Sequence, residues 1–132
     1  MNKTILIQNA LDAKASCELL LKKALPAKTI FKLISLDKAL TSIEQDFLEA
    51  KYRTILKYGK KNESGEVITE QLENGQTYVP IELEFQSICT KEITEALLQE
   101  VDCPNIIINI DELGNEILIG KDLIGLYPFL SE

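Results

Sequence analysis

Four carboxylates lie close together in the last third of the sequence, at Asp102, Asp111, Glu112 and Glu116. Oxygen ligands of this kind suit a hard cation such as calcium. A calcium loop of the EF-hand type also needs acidic or amide residues at alternating positions and a glycine at the sixth, and that pattern is absent here. The spacing therefore favours a solvated acidic turn, and we predict neither a metal nor a cofactor.

The nearest approach to a phosphate-binding loop runs from Gly114 to Gly120-Lys121. A P-loop has four residues between its glycines and a Ser or Thr after its lysine, whereas here five residues intervene and Asp122 follows. A strand between two turns explains this segment better. The chain has no histidine, and no nucleophile stands in a recognisable catalytic pattern. We therefore predict no catalytic residues, and a small metal-dependent enzyme is only the third hypothesis.

The three cysteines, Cys17, Cys89 and Cys103, are far apart and form no Cys-x-x-Cys pair. A zinc site would need all three thiolates plus a carboxylate or water, and the spacing gives no support for one. Free cysteine is among the residue types most often buried. We predict buried, reduced thiols.

Five cations gather towards the end of a predicted long helix: Lys51, Arg53, Lys57, Lys60 and Lys61. Cations at the C-terminal end of a helix complement its macrodipole, which is a purely structural reason for their presence. They could also bind an acidic protein surface. Nucleic-acid phosphate is a weaker alternative, because the whole chain carries a net charge of −7. These five residues are our candidate protein-contact site.

Charge is strongly segregated along the chain. Residues 1–61 hold 12 of the 14 basic and 6 of the 21 acidic residues, a net charge of +6, and residues 62–132 hold 2 and 15, a net charge of −13. Such asymmetry prompts a search for an interaction surface. The two parts could bind a protein partner, join copies of the chain into a homo-oligomer, or cancel within one subunit.

Length and composition indicate an ordinary globular protein. With 132 residues, 45% apolar and 27% charged, the chain suits one domain over 1–132, made of a helical basic part (1–61) and an acidic α+β part (62–132). No apolar run approaches the length that crosses a bilayer. No signal peptide is visible, so we expect a cytoplasmic protein without a membrane partner.

The first part of the chain predicts a strand and two helices. A strand at 4–7 leads to Asn9, a potential N-cap for a helix that ends at Leu25-Pro26. Glu18 and Lys22 would form an i,i+4 pair on it. A long amphipathic helix follows over about 27–58, and Gly59 suits a left-handed cap. Its apolar seam consists of Leu33, Leu36, Leu40, Ile43, Phe47 and Ala50, and the buried face would be widened by Ile34, Leu48, Tyr52, Ile55 and Leu56.

The second part predicts mixed structure. Asn74-Gly75 favours positive φ at both central turn positions of a hairpin between 66–72 and 76–79. A helical stripe over 81–100, whose start at 81–85 could instead be strand, precedes a strand at 105–110. A turn at Gly114-Asn115, an antiparallel strand at 116–119 and a short helix at 121–126 complete the chain. The predicted class is α+β, with an N-terminal strand, a helical hairpin containing the long helix, a small antiparallel sheet and further helices.

Several of these segments resemble a pattern found in small, uncharacterised proteins of tailed bacteriophages. Leu25-Pro26-Ala27-Lys28 opens the long helix, Lys57-Tyr58-Gly59 closes it, and Gly65-Glu66 introduces the acidic hairpin. The segment 85–102, with Leu97-Leu98-Gln99-Glu100-Val101, and Asp122-Leu123 are similar to the same group. The resemblance implies a phage setting and an α+β fold, in the host cytoplasm or in the virion, and implies no catalytic residues.

Two functions follow as hypotheses. The first is a non-enzymatic phage protein that acts by protein–protein contact, as a virion or assembly component, with a phage structural protein or another copy as partner. The alternative is an inhibitor of a host enzyme or defence factor, with an acidic face that mimics nucleic acid.

Overall fold

The computed structural model describes residues 2–113 and 124–131. Helices and short strands follow one another along the chain, which confirms the predicted α+β class. The elements are β1 (Asn2–Leu6), α1 (Ile7–Leu20), α2 (Ala27–Tyr58), β2 (Glu70–Gln71), β3 (Thr77–Tyr78), α3 (Gln86–Leu97), β4 (Glu100–Pro104), β5 (Ile108–Asn109) and β6 (Leu130–Ser131). Short 3-10 helices occupy Leu83–Phe85, Ile110–Leu113 and Ile124–Phe129.

The chain folds as two compact units. Unit 1 comprises Met1–Asp46 and Leu98–Glu132, and unit 2 comprises Phe47–Leu97. Helix α2 contributes its first part to unit 1 and its last part to unit 2. The units therefore do not follow the sequence boundary at residue 61, and the single domain over 1–132 stays a prediction.

Unit 1 is built on an antiparallel pair of β1 and β4, with Thr4 opposite Asp102 and Ile5 opposite Val101. The strand predicted at 4–7 is confirmed, although it begins and ends earlier. Strand β4 was missed, because its alternation of exposed and inward-facing positions lasts only five residues and comes soon after a helical pattern.

Helix α1 begins at Ile7, so the predicted cap at Asn9 is wrong. The Ile7 amide donates to the Gln99 carbonyl at 2.9 Å. This bond satisfies one of the four free amides at the start of the helix, and no side-chain cap hydrogen bond forms there. The helix also ends at Leu20 rather than Leu25, and Glu18 pairs with Lys14 instead of Lys22.

Helix α2 has the predicted bounds and forms much of the core. Leu33, Leu36 and Leu40 are fully buried, and Ile43 is half-buried against the same cluster. The seam ends earlier than predicted, since Ala50 is exposed. The rest of the unit 1 core comes from Ile5, Ala10, Ala13, Cys17, Leu20, Cys103, Ile108, Leu113, Leu126 and Phe129.

The predicted widening of that buried face is wrong for Ile34, Leu48 and Tyr52, which are exposed. The buried face of α2 is therefore a narrow apolar stripe. The three exposed side chains lie on a different side of the helix from Leu33, Leu36 and Leu40.

Gly59 does not adopt the predicted left-handed cap conformation, because the described glycines with positive φ are Gly65 and Gly75. Gly59 instead forms an antiparallel bridge with Ile81. A Cβ atom at Gly59 would lie 2.5 Å from Cγ1 of Val79 and 3.1 Å from the Ile55 carbonyl oxygen. Glycine is therefore favoured by close packing rather than by backbone conformation.

The hairpin around Asn74-Gly75 is confirmed, with Glu70 opposite Tyr78. Its turn differs from the prediction, because Gly75 alone of that pair has a positive φ, of 88°. The Gly75 amide donates to the Leu72 carbonyl at 3.0 Å, and the Leu72 amide donates to Gln76 at 2.7 Å. This is the pattern of a three-residue loop with a glycine bulge.

The C-terminal segment departs most from the sequence pattern. The strand predicted at 105–110 is reduced to β5, which pairs in parallel with β6. The turn at 114–115 and the strand at 116–119 lie outside the described residues. Of the helix predicted at 121–126, the described part belongs to the 3-10 helix Ile124–Phe129, which contains Pro128. Proline has no amide to donate, and short 3-10 turns accommodate it more readily than an α-helix interior.

Candidate protein-contact site

Folding mixes the two charged parts of the sequence. Unit 1 has 8 basic and 12 acidic residues, a net charge of −4, and unit 2 has 6 basic and 9 acidic residues, a net charge of −3. The contrast between +6 and −13 in sequence order is therefore not a contrast between compact units. Any contact surface has to be found from individual side chains.

Two of the five candidate cations are paired within unit 2. Arg53 Nη2 lies 2.9 Å from Glu49 Oε1, one turn earlier on α2. Lys57 Nζ lies 3.2 Å from Glu92 Oε1 on α3 and 4.9 Å from the centroid of the Tyr58 ring. These exposed pairs contribute little to stability, but they occupy both cations.

The Lys61 side chain and the Lys60 backbone are engaged at the end of α2. The Lys61 ammonium donates to the carbonyl oxygens of Lys57 and Gly59, each at 3.4 Å. The Lys60 amide donates to Pro80 at 2.8 Å, and its carbonyl accepts from Ile68 at 2.9 Å. Lys61 therefore fulfils the structural role predicted for cations near a helix C-terminus.

Like the partly exposed Lys60 side chain, the Lys51 side chain has no ion pair among the described residues, and Lys51 is the more exposed of the two. Its side chain is exposed, and no ion pair engages it within residues 2–113 and 124–131. Leu48 lies three residues before Lys51 and four before Tyr52, so both of these side chains adjoin Leu48 on α2. Leu48 is 50% exposed and Tyr52 is 57% exposed.

We call Leu48, Lys51 and Tyr52 the α2 patch. Two apolar side chains and an available cation within one helical turn form a small amphipathic surface. Tyrosine is enriched at protein interfaces, because its ring supplies contact area and its hydroxyl a hydrogen bond. The sequence identified Lys51 but assigned Leu48 and Tyr52 to the buried face.

The four carboxylates considered for a metal site do not assemble among the described residues. Asp102 is exposed in β4, whereas Glu112 pairs with Lys32 at 3.0 Å. The backbone amide of Asp111 donates to Oδ1 of Asn109 at 2.9 Å. Glu116 lies outside the described residues. Within 2–113 and 124–131 no group of three His, Cys, Asp or Glu side chains could hold a metal ion.

A second charged cluster connects α1 and α2 inside unit 1. The Lys14 side chain is only 12% exposed; its ammonium pairs with Glu18 and lies 3.7 Å from Glu44 Oε1. The hydrogen bond to Glu18, and secondarily the charges of Glu44 and Asp37, raise the pKa of Lys14. Oδ1 of Asp37 is buried without a hydrogen-bond partner among the described residues. The Lys14–Glu44 ion pair therefore links α1 to α2.

The three cysteines are buried and free, as predicted. Burial, assisted by the nearby carboxylates of Asp37 and Glu18, raises the pKa of Cys17 from 9.0 to about 12. Burial also raises the pKa values of Cys89 and Cys103. A thiol that keeps its proton is a poor nucleophile, so the chemistry of these cysteines is structural.

Cys17 should make the protein sensitive to alkaline pH. The unfolded thiol loses its proton above about pH 9, while the folded thiol holds it up to about pH 12. The free energy of unfolding contributed by Cys17 is therefore present at low pH and is lost above pH 9, by about 1.4 kcal/mol per pH unit. Urea unfolding at pH 8 and pH 10.5 measures this loss.

The control for this measurement is Cys17→Ala. It should be less stable than the parent at pH 8, because it loses a buried sulfur, yet should lose less stability between the two pH values. Lys14, Glu18, Asp37 and Cys103 also act on Cys17, and all remain in the variant. Equal losses in both proteins would contradict the assignment to Cys17.

Comparison with known proteins gives no relative. No protein-family model, curated protein or solved structure matches the chain. In the part of the chain that the structure describes, no helix is both long and apolar enough to span a membrane.

Proposed function

We propose that this protein is non-enzymatic and acts through protein–protein contact, as a component of a larger assembly. The observation that carries the proposal is the α2 patch, where Leu48 and Tyr52 remain exposed beside a cation without an ion pair among the described residues. Binding of an apolar segment that carries a carboxylate would remove both apolar side chains from water and pair Lys51.

Single exposed apolar residues are common on protein surfaces, whereas a group of them beside an unpaired cation points to a contact. Leu48 and Tyr52 are four residues apart on α2, the spacing at which helical side chains adjoin. Lys51 is three residues from Leu48 and adjoins it as well, so Leu48 lies at the centre of the patch. The neighbouring cations Arg53 and Lys57 are already paired, which confines the proposed contact to the patch.

A phage setting is supported by the resemblance of the helix and hairpin segments to small tailed-phage proteins. Within that setting the protein would act in the host cytoplasm during assembly, or in the finished virion. Mass spectrometry of purified particles distinguishes these two versions.

The alternative, an inhibitor that mimics nucleic acid, requires an extended acidic face. Two carboxylates of the acidic sequence half are instead paired with cations, Glu92 with Lys57 and Glu112 with Lys32. Because each unit has a net charge of only −3 or −4, the alternative has less support than sequence order suggested.

Site-specific photo-crosslinking in producing cells tests the proposal. A benzophenone amino acid replaces Tyr52, and the matched control carries it at Ser64, an exposed position in the connector after α2. We expect a discrete adduct from position 52, competed by excess wild-type protein, and none from position 64. Equal labelling at both positions, or none at either, would contradict a specific contact at the patch.

A further inference from the structure

We propose that the partner of the α2 patch is a second copy of this chain, which presents its segment Glu82–Phe85. The inference rests on the proposed function and identifies the partner at the same site. In this contact, Leu83 of one copy would pack on Leu48 and Tyr52 of the other, and Glu84 would pair with Lys51.

The segment has the chemistry that the patch lacks. Leu83 is 81% exposed, the highest value among the large apolar side chains whose exposure is described. It lies between Glu82 and the exposed Glu84. Within residues 2–113 and 124–131, no ion pair engages Glu84. An apolar side chain flanked by carboxylates is complementary to a cation flanked by apolar side chains.

The segment is also held in place, which lowers the entropic cost of binding. The Phe85 amide donates to the Glu82 carbonyl at 2.8 Å, and the Glu82 amide donates to the backbone carbonyl of Tyr58 at 3.4 Å. The rings of Phe85 and Tyr58 lie 5.6 Å apart between centroids. Leu83 therefore projects from a fixed turn that is tied to the end of α2.

The hairpin is a less suitable partner segment. Its Leu72 and Tyr78 are exposed, but the Glu70 carboxylate accepts a hydrogen bond from the Tyr78 hydroxyl at 2.6 Å. Glu70 and Tyr78 are thus engaged with each other, and Leu72, next to the exposed Glu73, is only 47% exposed. The segment at Glu82–Phe85 offers both an available carboxylate and a more exposed apolar side chain.

Each copy carries both halves of the contact, so two arrangements are possible. Reciprocal contacts would give a closed two-fold dimer, and head-to-tail contacts would give a ring or an open chain. Both join Lys51 to Glu84 of a different copy, and both suit an assembly component. Both are also sensitive to salt, because the charges lie at the surface.

Sedimentation velocity of the full chain with charge-reversed variants tests the pairing. The wild type should associate as concentration rises, and less so at high salt. Lys51→Glu and Glu84→Lys should each weaken association at least about tenfold, because like charges would then face each other. Combining both substitutions in one chain, or mixing the two single variants, should restore association. Lys38→Glu, an equal charge reversal at an exposed position of α2, should leave it unchanged.

The outcomes separate this inference from the proposed function. If the wild type stays monomeric at the highest attainable concentration, the partner is not a second copy of this chain. A crosslink from position 52 to a different protein would then still support the proposed function by protein contact. A double variant as weak as the single variants overturns the Lys51–Glu84 pairing, provided that circular dichroism shows native helix content. The whole contact is supported if Leu83→Ser loses association and if combining Lys51→Glu with Glu84→Lys restores it.

Discussion

Replacing Phe129 by alanine is expected to lower the free energy of unfolding by about 3 to 5 kcal/mol. Phe129 is fully buried in the core of unit 1 and is one of its largest side chains. The Lys3 ammonium lies 4.1 Å from the centroid of its ring, and the same ammonium donates to the Pro128 carbonyl. The substitution would therefore leave a cavity and remove a cation–π contact between β1 and the C-terminal segment.

Urea unfolding followed by circular dichroism measures this effect, and Tyr127→Ala is the matched control. Tyr127 belongs to the same 3-10 helix but is 76% exposed, so its loss should cost less than about 1 kcal/mol. Similar midpoints for Phe129→Ala and the wild type would mean that the C-terminal segment does not belong to the core.

The parts of the fold that could be predicted from sequence are those set by local rules. Helix α2 was predicted with its observed bounds, because Pro26 and the 3- and 4-residue spacing of its apolar side chains act over neighbouring residues. The hairpin at Gly75 and the burial of the cysteines follow from equally local chemistry.

The errors arose where distant segments meet. Strand β1 pairs with β4, about a hundred residues later in the sequence. Next to this pairing, the Ile7 amide bonds to Gln99, and α1 begins at Ile7 rather than after a cap at Asn9. Gly59 was assigned to a cap because it follows a helix. In the structure, glycine is favoured there by the close approach of Val79, which comes directly after β3. No local pattern contains these long-range contacts.

The candidate site was predicted in part for the same reason. The sequence gathered five cations, but it could not show that Glu49 and Glu92 engage two of them. Periodicity also assigned Leu48 and Tyr52 to a wide buried face, because apolar spacing does not reveal how much of a helix its neighbours cover. Leu48 and Tyr52 remain exposed in the described part of the chain, and this exposure makes the α2 patch a contact candidate.

Phe47→Ala should destabilise unit 2 by about 3 to 5 kcal/mol. Phe47 continues the apolar seam of α2 beyond the unit 1 cluster and is only 6% exposed. A loss of this size is a large share of the stability of a typical domain. The melting temperature of the variant should fall by about 10 °C or more, since about 1 kcal/mol corresponds to several degrees at this chain length.

Phe31→Ala provides the control, because it makes the same change on the same helix. Phe31 is 72% exposed, so its replacement should shift the melting temperature by only a degree or two. Both variants change helix propensity and lose an aromatic ring in the same way, so they differ mainly in how deeply the replaced side chain is buried. Equal shifts for the two variants would contradict the orientation of α2, and with it the exposure of Leu48 and Tyr52 on which the proposed contact depends.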